Sequence, residues 1–473
     1  FVAFRISNLL RRLVGEGALT SSFVPIFTEE LGLRDHEGSR RLSSSVFTLF
    51  FFILVALAAL GIIFSDPLVR LLSPGFGAYP EKFALTVRLT RLTFPYMVAI
   101  GLMAIAMGVL HSKKHFTAPA LSPVLFNIAI ITSIFAVAPF LDEPVYALAI
   151  GVLAGGVLQF LLQLPFLKGY GFLPRPSFSF ADPAIKRIFL LMGPAALGMG
   201  VYQLNIFVTL WFASRLAEGS VSYLFYASRL MELPLGVFGV AVSTAVLPNL
   251  SEHAARGDMT GFRGSISYSV RIVNFVIIPA TAGLMVLNYP IVETLFGRGA
   301  FGAEAVEGTA YALYFYALGL APIAVSRVFV SVFYSVKDTT TPLYIGVFSL
   351  VTNAVLSVLL VGPMGHGGLA LATSVAAAVN FAGLVVVMRR RFGALGGRAI
   401  GASALKALTA TVAMAVVVYL ASARLYPADP GTLGRAAALA ACLVAGVLTY
   451  LAVSIALRSP EVPFIKGFLR KRG

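Results

Sequence analysis

The sequence predicts an all-α polytopic membrane protein made of two pseudo-symmetric six-helix lobes, the first lacking its first helix here, plus two C-terminal helices. Three observations predict it: a composition too apolar for water, apolar runs as long as a bilayer is thick, and an internal repeat. Hydrophobic residues make up 58% of the 473 positions and charged residues only 12%. A soluble domain carries roughly 25% charged residues. A chain of this size cannot cover a wetted surface with half that supply. The mean hydropathy of +0.90 agrees.

A bilayer core needs about 20 apolar residues per helix, and only helices or closed barrels satisfy their backbone in lipid. The runs here are continuous and do not alternate, which selects helices. They fall at 1–31, 44–65, 83–110, 119–139, 145–167, 184–217, 220–250, 262–288, 305–336, 340–361, 367–391, 402–424 and 434–457. Pro25, Pro95, Pro194, Pro234, Pro279 and Pro322 lie in or near these runs and are expected kinks.

Thirty-six Lys and Arg against 20 Asp and Glu give a formal charge of +16. No basic stripe with interleaved aromatics lies outside the spans, so nucleic-acid binding is not expected. The cations instead alternate between loops. Arg34, Arg40 and Arg41 follow the first span, Lys113 and Lys114 the third, Lys168, Arg175, Lys186 and Arg187 the fifth, and Arg389, Arg390, Arg391 and Arg398 the eleventh. Arg458, Lys466, Arg470, Lys471 and Arg472 close the chain. The intervening loops 139–144 and 362–366 carry almost none. The positive-inside rule makes the basic loops cytoplasmic.

The repeat appears as Val24-Pro25-Ile26-Phe27-Thr28-Glu29 against Leu247-Pro248-Asn249-Leu250-Ser251-Glu252, a shift of 223 residues. At the same shift Ser112 meets Ser335, Lys114 meets Lys337 and Pro119 meets Pro342. Helix starts at 83, 119 and 145 map onto starts near 306, 342 and 368. This divides the chain into an N-lobe at 1–168, a C-lobe at 169–391 and a terminal helix pair with basic tail at 392–473. The second unit opens with the helix at 184–217, so the repeat expects one further helix before Phe1. Parallel repeats of this kind suit alternating access.

Ionisable residues inside spans mark function by default. The candidates are Arg5, Arg11, Arg12, Glu16, Arg229, Arg271 and Arg327. Arg12 and Glu16 are four apart and can share a helix face. Glu16 and Glu232 are the only acids at comparable depth, so cations dominate. A surface lined this way favours an anion, and the planar guanidinium fork suits phosphate. Arg88 and Arg91 sit near a helix start, where snorkelling to the interface is the simpler reading. Amides such as Asn127, Gln163 and Asn353 read as glue between helices.

Catalytic constellations are missing from the sequence. No Asp pair occurs in a span to hold a divalent metal, and no nucleophile stands beside a histidine. The lone Cys442 allows neither an internal disulfide nor a cysteine metal site. A non-enzyme without cofactor or metal is expected.

The run Phe1-Val2-Ala3-Phe4-Arg5-Ile6-Ser7-Asn8-Leu9-Leu10-Arg11-Arg12, continuing to Glu16-Gly17-Ala18 and Phe23-Val24-Pro25, resembles the MurJ (MviN) lipid II flippases of bacteria. So do Ser73-Pro74-Gly75-Phe76, Arg229-Leu230-Met231-Glu232 with Pro234, Lys337-Asp338 with Thr341-Pro342, and Gly362-Pro363 with Gly367-Gly368-Leu369. The resemblance implies the multidrug/oligosaccharidyl-lipid/polysaccharide exporter fold with fourteen helices. It implies a cationic cavity for the pyrophosphate and sugar–peptide head group, and a groove on the last two helices for the polyprenyl tail. Arg11, Arg12 and Glu16 match the family's cavity motif, and Arg271 matches a cavity arginine of the second lobe. Ser7 departs from the family's usual proline.

The expected function is therefore a multi-pass flippase of the bacterial cytoplasmic (inner) membrane, carrying lipid II from the cytoplasmic to the outer leaflet for peptidoglycan synthesis. The expected partners are lipid II or a similar anionic polyprenyl-linked lipid and membrane lipids, with a monomer as the working unit. The rivals are a flippase for another polyprenyl-linked oligosaccharide, a cation-coupled drug antiporter of the same superfamily, a polyprenyl-phosphate transferase, and a scaffold that binds lipid II without moving it.

Overall fold

The computed structural model describes residues 1–10, 19–236, 250, 252–253, 256–336, 338–426 and 431–463. Arg11, Arg12, Glu16, Lys337 and the basic tail from 464 onward lie outside them. The described chain is built of helices and packs as two compact units, Phe1–Arg215 and Leu216–Gly473. The compact units divide after Arg215.

The first unit runs α1 (Val2–Leu10), α2 (Thr20–Leu33), α3 (His36–Ile63), α4 (Ser65–Leu72), α5 (Pro80–Thr93), α6 (Tyr96–Ser112), α7 (Thr117–Ala136), α8 (Val145–Gly169) and α9 (Pro183–Ala213). Asp35 caps α3 by accepting from Gly38 N–H at 2.8 Å. That cap starts the helix at His36, not at 44, and carries its polar first turns beyond the apolar run. Phe23, Phe27, Phe50 and Phe172 are fully buried at the centre of the unit. Phe23 and Phe27 stack at 5.0 Å, and Phe172 meets Phe27 edge-on at 5.7 Å.

Outward-facing residues show the opposite pattern to a soluble protein. On α7, Leu121, Val124, Ile128, Ile131 and Phe135 form an exposed stripe, with Phe135 79% accessible. Their spacing of three and four residues puts them on one helix face. In water such a stripe costs about 25 cal/mol per Å²; in lipid it costs nothing.

Between α8 and α9 the chain runs extended along α3. Hydroxyls on α3 serve it: Thr48 Oγ1 accepts from Ser177 N–H at 3.0 Å, Ser44 Oγ from Arg175 N–H at 3.4 Å, and Ser45 meets Ser177 at 2.8 Å. This explains a serine-rich face in an otherwise apolar helix. The segment Ser73–Phe76 enters a tight turn (Pro74–Ala78) against the end of α9. Gly75 donates to Ser214 Oγ at 3.3 Å, and a Cβ at Gly75 would stand 1.9 Å from the Ser214 carbonyl. Gly75→Ala is expected to cost about 1–3 kcal/mol of stability through overpacking, read as a lower unfolding temperature in detergent.

The second unit contains α10 (Ser220–Pro234), α11 (Met259–Val286), α12 (Asn288–Phe296), α13 (Ala303–Leu318), α14 (Leu320–Ser335), α15 (Thr340–Phe392), α16 (Gly397–Leu425) and α17 (Thr432–Ala456). The spans expected at 340–361 and 367–391 are two helical arms within α15, joined at Gly365 (φ 55, ψ −134). Only glycine adopts that backbone conformation readily. The two arms fold side by side, with Ser349 Oγ donating to Ala376 O at 2.8 Å and Gly383 against Ile345.

Among the described residues, eight helical stretches are long and apolar enough to cross a membrane, with α5–α6 and the two arms of α15 each counted once, and the pair α13–α14 makes a ninth bent by 45°. That bend lies at Gly319, not at the expected Pro322, which sits in the first turn of α14. A first-turn proline interrupts nothing, because N–H groups there have no helical acceptor. Pro95 does separate α5 from α6, as expected.

Asp338 closes the base of α15. It accepts from Thr340 and Thr341 N–H at 3.1 and 3.0 Å, from both threonine hydroxyls, and from Arg391 at the far end of the same element. Burial acts to raise the Asp338 carboxyl, but these donors outweigh it and bring it down to about 2. A depressed carboxylate stabilises the fold above its ordinary pKa, and that stabilisation is lost as pH falls through the folded value. Asp338→Ala is expected to lose on the order of 2 kcal/mol at neutral pH. The difference from the parent shrinks as pH drops from about 4 toward 2, measurable by unfolding in detergent.

Candidate functional site

The candidate arginines meet different fates. Arg229 pairs with Glu232 at 2.6 Å one turn along α10 and lies 5.0 Å from the Phe225 ring. Both charges are nearly half exposed, so the pair is a local i,i+3 contact. Arg5 is half-buried on α1, which packs on α5 and α6. Arg327 is half-buried on α14 and has no ion-pair partner among the described residues. Arg11, Arg12 and Glu16 lie outside the described residues. Arg88 and Arg91, read as interfacial, reach Glu143 at 3.6 Å and Ser65 Oγ at 2.9 Å.

Arg271 is built differently. Asp258 starts α11 by accepting from Gly261 N–H at 2.9 Å. Thirteen residues later, about 20 Å along the helix, Arg271 points at the terminal helix pair. Its Nη1 lies 3.6 Å from Glu461 Oε1, with side chains 23% and 2% exposed. Ser403 on α16 donates to the same carboxylate oxygen at 2.9 Å. Arg271 Nε and Glu461 Oε2 are both buried without a hydrogen-bond partner among the described residues.

Glu461 reaches this position because the chain reverses after α17. Arg458 takes a left-handed conformation (φ 48), and its carbonyl accepts from Lys406 Nζ at 3.1 Å. The turn returns Glu461 beneath α16. The ion pair is therefore long, incompletely hydrogen-bonded and partly open on the arginine side. A cation held so loosely can exchange its carboxylate for another anion, and a phosphate offers the same fork-matching oxygens.

Sequence reasoning missed Glu461 and Ser403. The available signal was an acid bracketed by Pro460 and Pro463, immediately after a span and inside a basic tail. It also missed the clasp at the other end of the terminal pair. There Arg435 on α17 lies 3.6 Å from Glu293 on α12, and the Tyr426 hydroxyl meets Thr294 Oγ1 at 3.1 Å.

The profile of the lipid II flippase MurJ family matches residues 1–433. The chain belongs to the MurJ lipid II flippase family. A relative from Burkholderia cenocepacia, the lipid II flippase MurJ, is 37% identical over 83% of this chain and 77% of its own length. A probable lipid II flippase MurJ from Bdellovibrio bacteriovorus is 35% identical over 98% of this chain and 89% of its own. Among solved structures, a lipid II flippase MurJ in an inward closed conformation superposes with a TM-score of 0.81 at 28% identity, covering 97% of this chain and 92% of that one. A multidrug MATE transporter of the MOP superfamily shares the fold, with a TM-score of 0.68 at 16% identity over 84% and 90% of the two chains. The chain thus carries the all-α fold expected from the sequence, shared with MurJ and with that transporter.

Proposed function

We propose that the chain is a lipid II flippase, carrying the undecaprenyl-pyrophosphate-linked peptidoglycan precursor from the cytoplasmic to the outer leaflet of the bacterial inner membrane. The observation that carries this reading is family membership along 1–433. It is supported by a partly exposed arginine in a span, Arg271, whose carboxylate partner among the described residues is loosely bonded. Transport proceeds by alternating access, a single chain sufficing, and no covalent chemistry is required. In this reading Arg271 is a contact for the pyrophosphate, and Arg11, Arg12 and Glu16 join it on the strength of their sequence motif alone. Arg5, Arg229 and Arg327 keep a secondary role, Arg229 least of all because Glu232 already neutralises it.

The phosphate contact must differ between the two ends of the cycle, because equal affinity for both states shifts no equilibrium. The test is lipid II translocation in cells depleted of their own flippase and supplied with this protein. Restored translocation and growth is the expected result. A well-expressed protein that restores neither would transfer the reading to another polyprenyl-linked oligosaccharide or to cation-coupled drug export.

A further inference from the structure

Pro279 leaves a defect in α11. A proline inside a helix has no N–H, so the carbonyl four residues earlier loses its donor. That carbonyl belongs to Phe275. No water is available in a bilayer interior to replace the missing bond, and an unsatisfied group there is costly. In this protein the donor comes from elsewhere in the sequence. The Tyr450 hydroxyl on α17 donates to Phe275 O at 2.5 Å, and both residues are buried. Their rings also touch, with centroids 5.2 Å apart. Tyr450 therefore completes the hydrogen-bond ladder of α11 at its proline.

The position of this bond matters as much as its existence. Arg271 lies one turn before Phe275 on the same helix face, and its partner Glu461 belongs to the chain that follows α17. Successive turns of α11 are thus held by two groups from one terminal element. A proline inside a helix is where the helix bends or yields, and the carbonyl held by Tyr450 lies between Pro279 and Arg271 on α11.

We propose that Tyr450 is a positioning residue: its hydroxyl supplies the donor that Pro279 lacks, sets the bend of α11, and so fixes where the Arg271 guanidinium stands. This rests on the reading of Arg271 as a head-group contact. It also couples the bend to α17, since any shift of α17 along its axis moves the hydroxyl off the carbonyl.

The test is a two-by-two comparison of the parent, Tyr450→Phe, Pro279→Ala and the double variant. Tyr450→Phe keeps the ring and removes only the donor, whereas Pro279→Ala restores the backbone N–H and makes the hydroxyl redundant. Spin labels at Gly264→Cys and Met285→Cys, with Cys442→Ala, report the bend as a distance. Lipid II translocation reports function. Tyr450→Phe is expected to shift or broaden the distance distribution and to lower translocation about fivefold, the equivalent of one lost hydrogen bond. In the Pro279→Ala background Tyr450→Phe is expected to change neither. An unchanged distance in Tyr450→Phe, or an equal loss in both backgrounds, overturns the assignment. Should Tyr450→Phe fail to accumulate, recovery of its level by Pro279→Ala supports the assignment, and continued failure overturns it. The distance needs no substrate, so a parent that fails to move lipid II defeats the flippase reading while the labels still decide the role of Tyr450.

Discussion

Arg271→Ala is expected to abolish lipid II translocation and to destabilise the protein at the same time. The two losses have different origins. Removing the guanidinium leaves Glu461, 2% exposed, without its counter-charge. Breaking one side of a buried pair typically costs about 3–5 kcal/mol, so unfolding in detergent moves to clearly lower temperature or denaturant. Adding Glu461→Gln removes the stranded charge and keeps an acceptor for Ser403. That double variant is expected to regain most of the stability while translocation stays lost. If the double variant regains translocation as well, Arg271 serves only as a tie between α11 and the terminal pair. Arg271→Lys separates charge from shape, because an ammonium keeps the cation but not the planar fork. It should hold the fold and transport poorly.

The second large effect is expected at Asp182, which carries two loads. Its carboxylate receives both arms of Arg34, at 2.6 and 2.9 Å, and also accepts from Ala184 N–H at 3.0 Å to start α9. Arg34 is simultaneously bonded to Glu30 at 2.5 Å, and Arg187 to Glu29 at 2.6 Å, so α2 and α9 are joined by a charge network. Asp182→Ala loses the cap, about 1 kcal/mol, and the bidentate pair, about 2 kcal/mol more. Asp182→Asn retains an acceptor for Ala184 and loses only the second part. The hydrogen bonds from Arg34 hold the Asp182 carboxyl below the usual carboxylate range, against the opposing effect of partial burial. Its stabilisation is therefore full above its ordinary pKa and disappears as pH falls through the depressed value. Melting curves of the parent and Asp182→Asn should converge in acid and separate toward neutrality. Parallel curves at every pH would show that the Asp182 charge adds nothing to the difference between the two proteins.

The spans were legible because lipid imposes length and polarity on the sequence directly. The run at 434–457 needs no knowledge of its neighbours to read as a span, and α17 occupies Thr432–Ala456. Breaks were legible only where the cause was local. Pro95 interrupts a helix by its own chemistry, whereas the break at Gly319 depends on Ser374 packing against it from α15. The polar contacts were not legible. Arg271 and Glu461 are 190 residues apart in sequence, and nothing in the periodicity of either segment names the other. Tyr450 was equally silent, since a tyrosine in a span reads as an apolar ring until its hydroxyl is seen on the carbonyl that Pro279 orphaned. The candidate arginines could be found because charge in lipid is rare, but their partners required the fold.

The break at Gly365 bears on how this protein is made and handled. The two arms of α15 reverse direction through a single glycine, with no soluble connector between them. With so short a connection the two arms are expected to enter the membrane together as one hairpin. A reporter or epitope inserted at this reversal would have to open the backbone where Gly368 already lies against the Leu360 carbonyl. Topology tags belong in the longer connections, and loss of protein after insertion at 362–366 would report failed biogenesis, not failed transport.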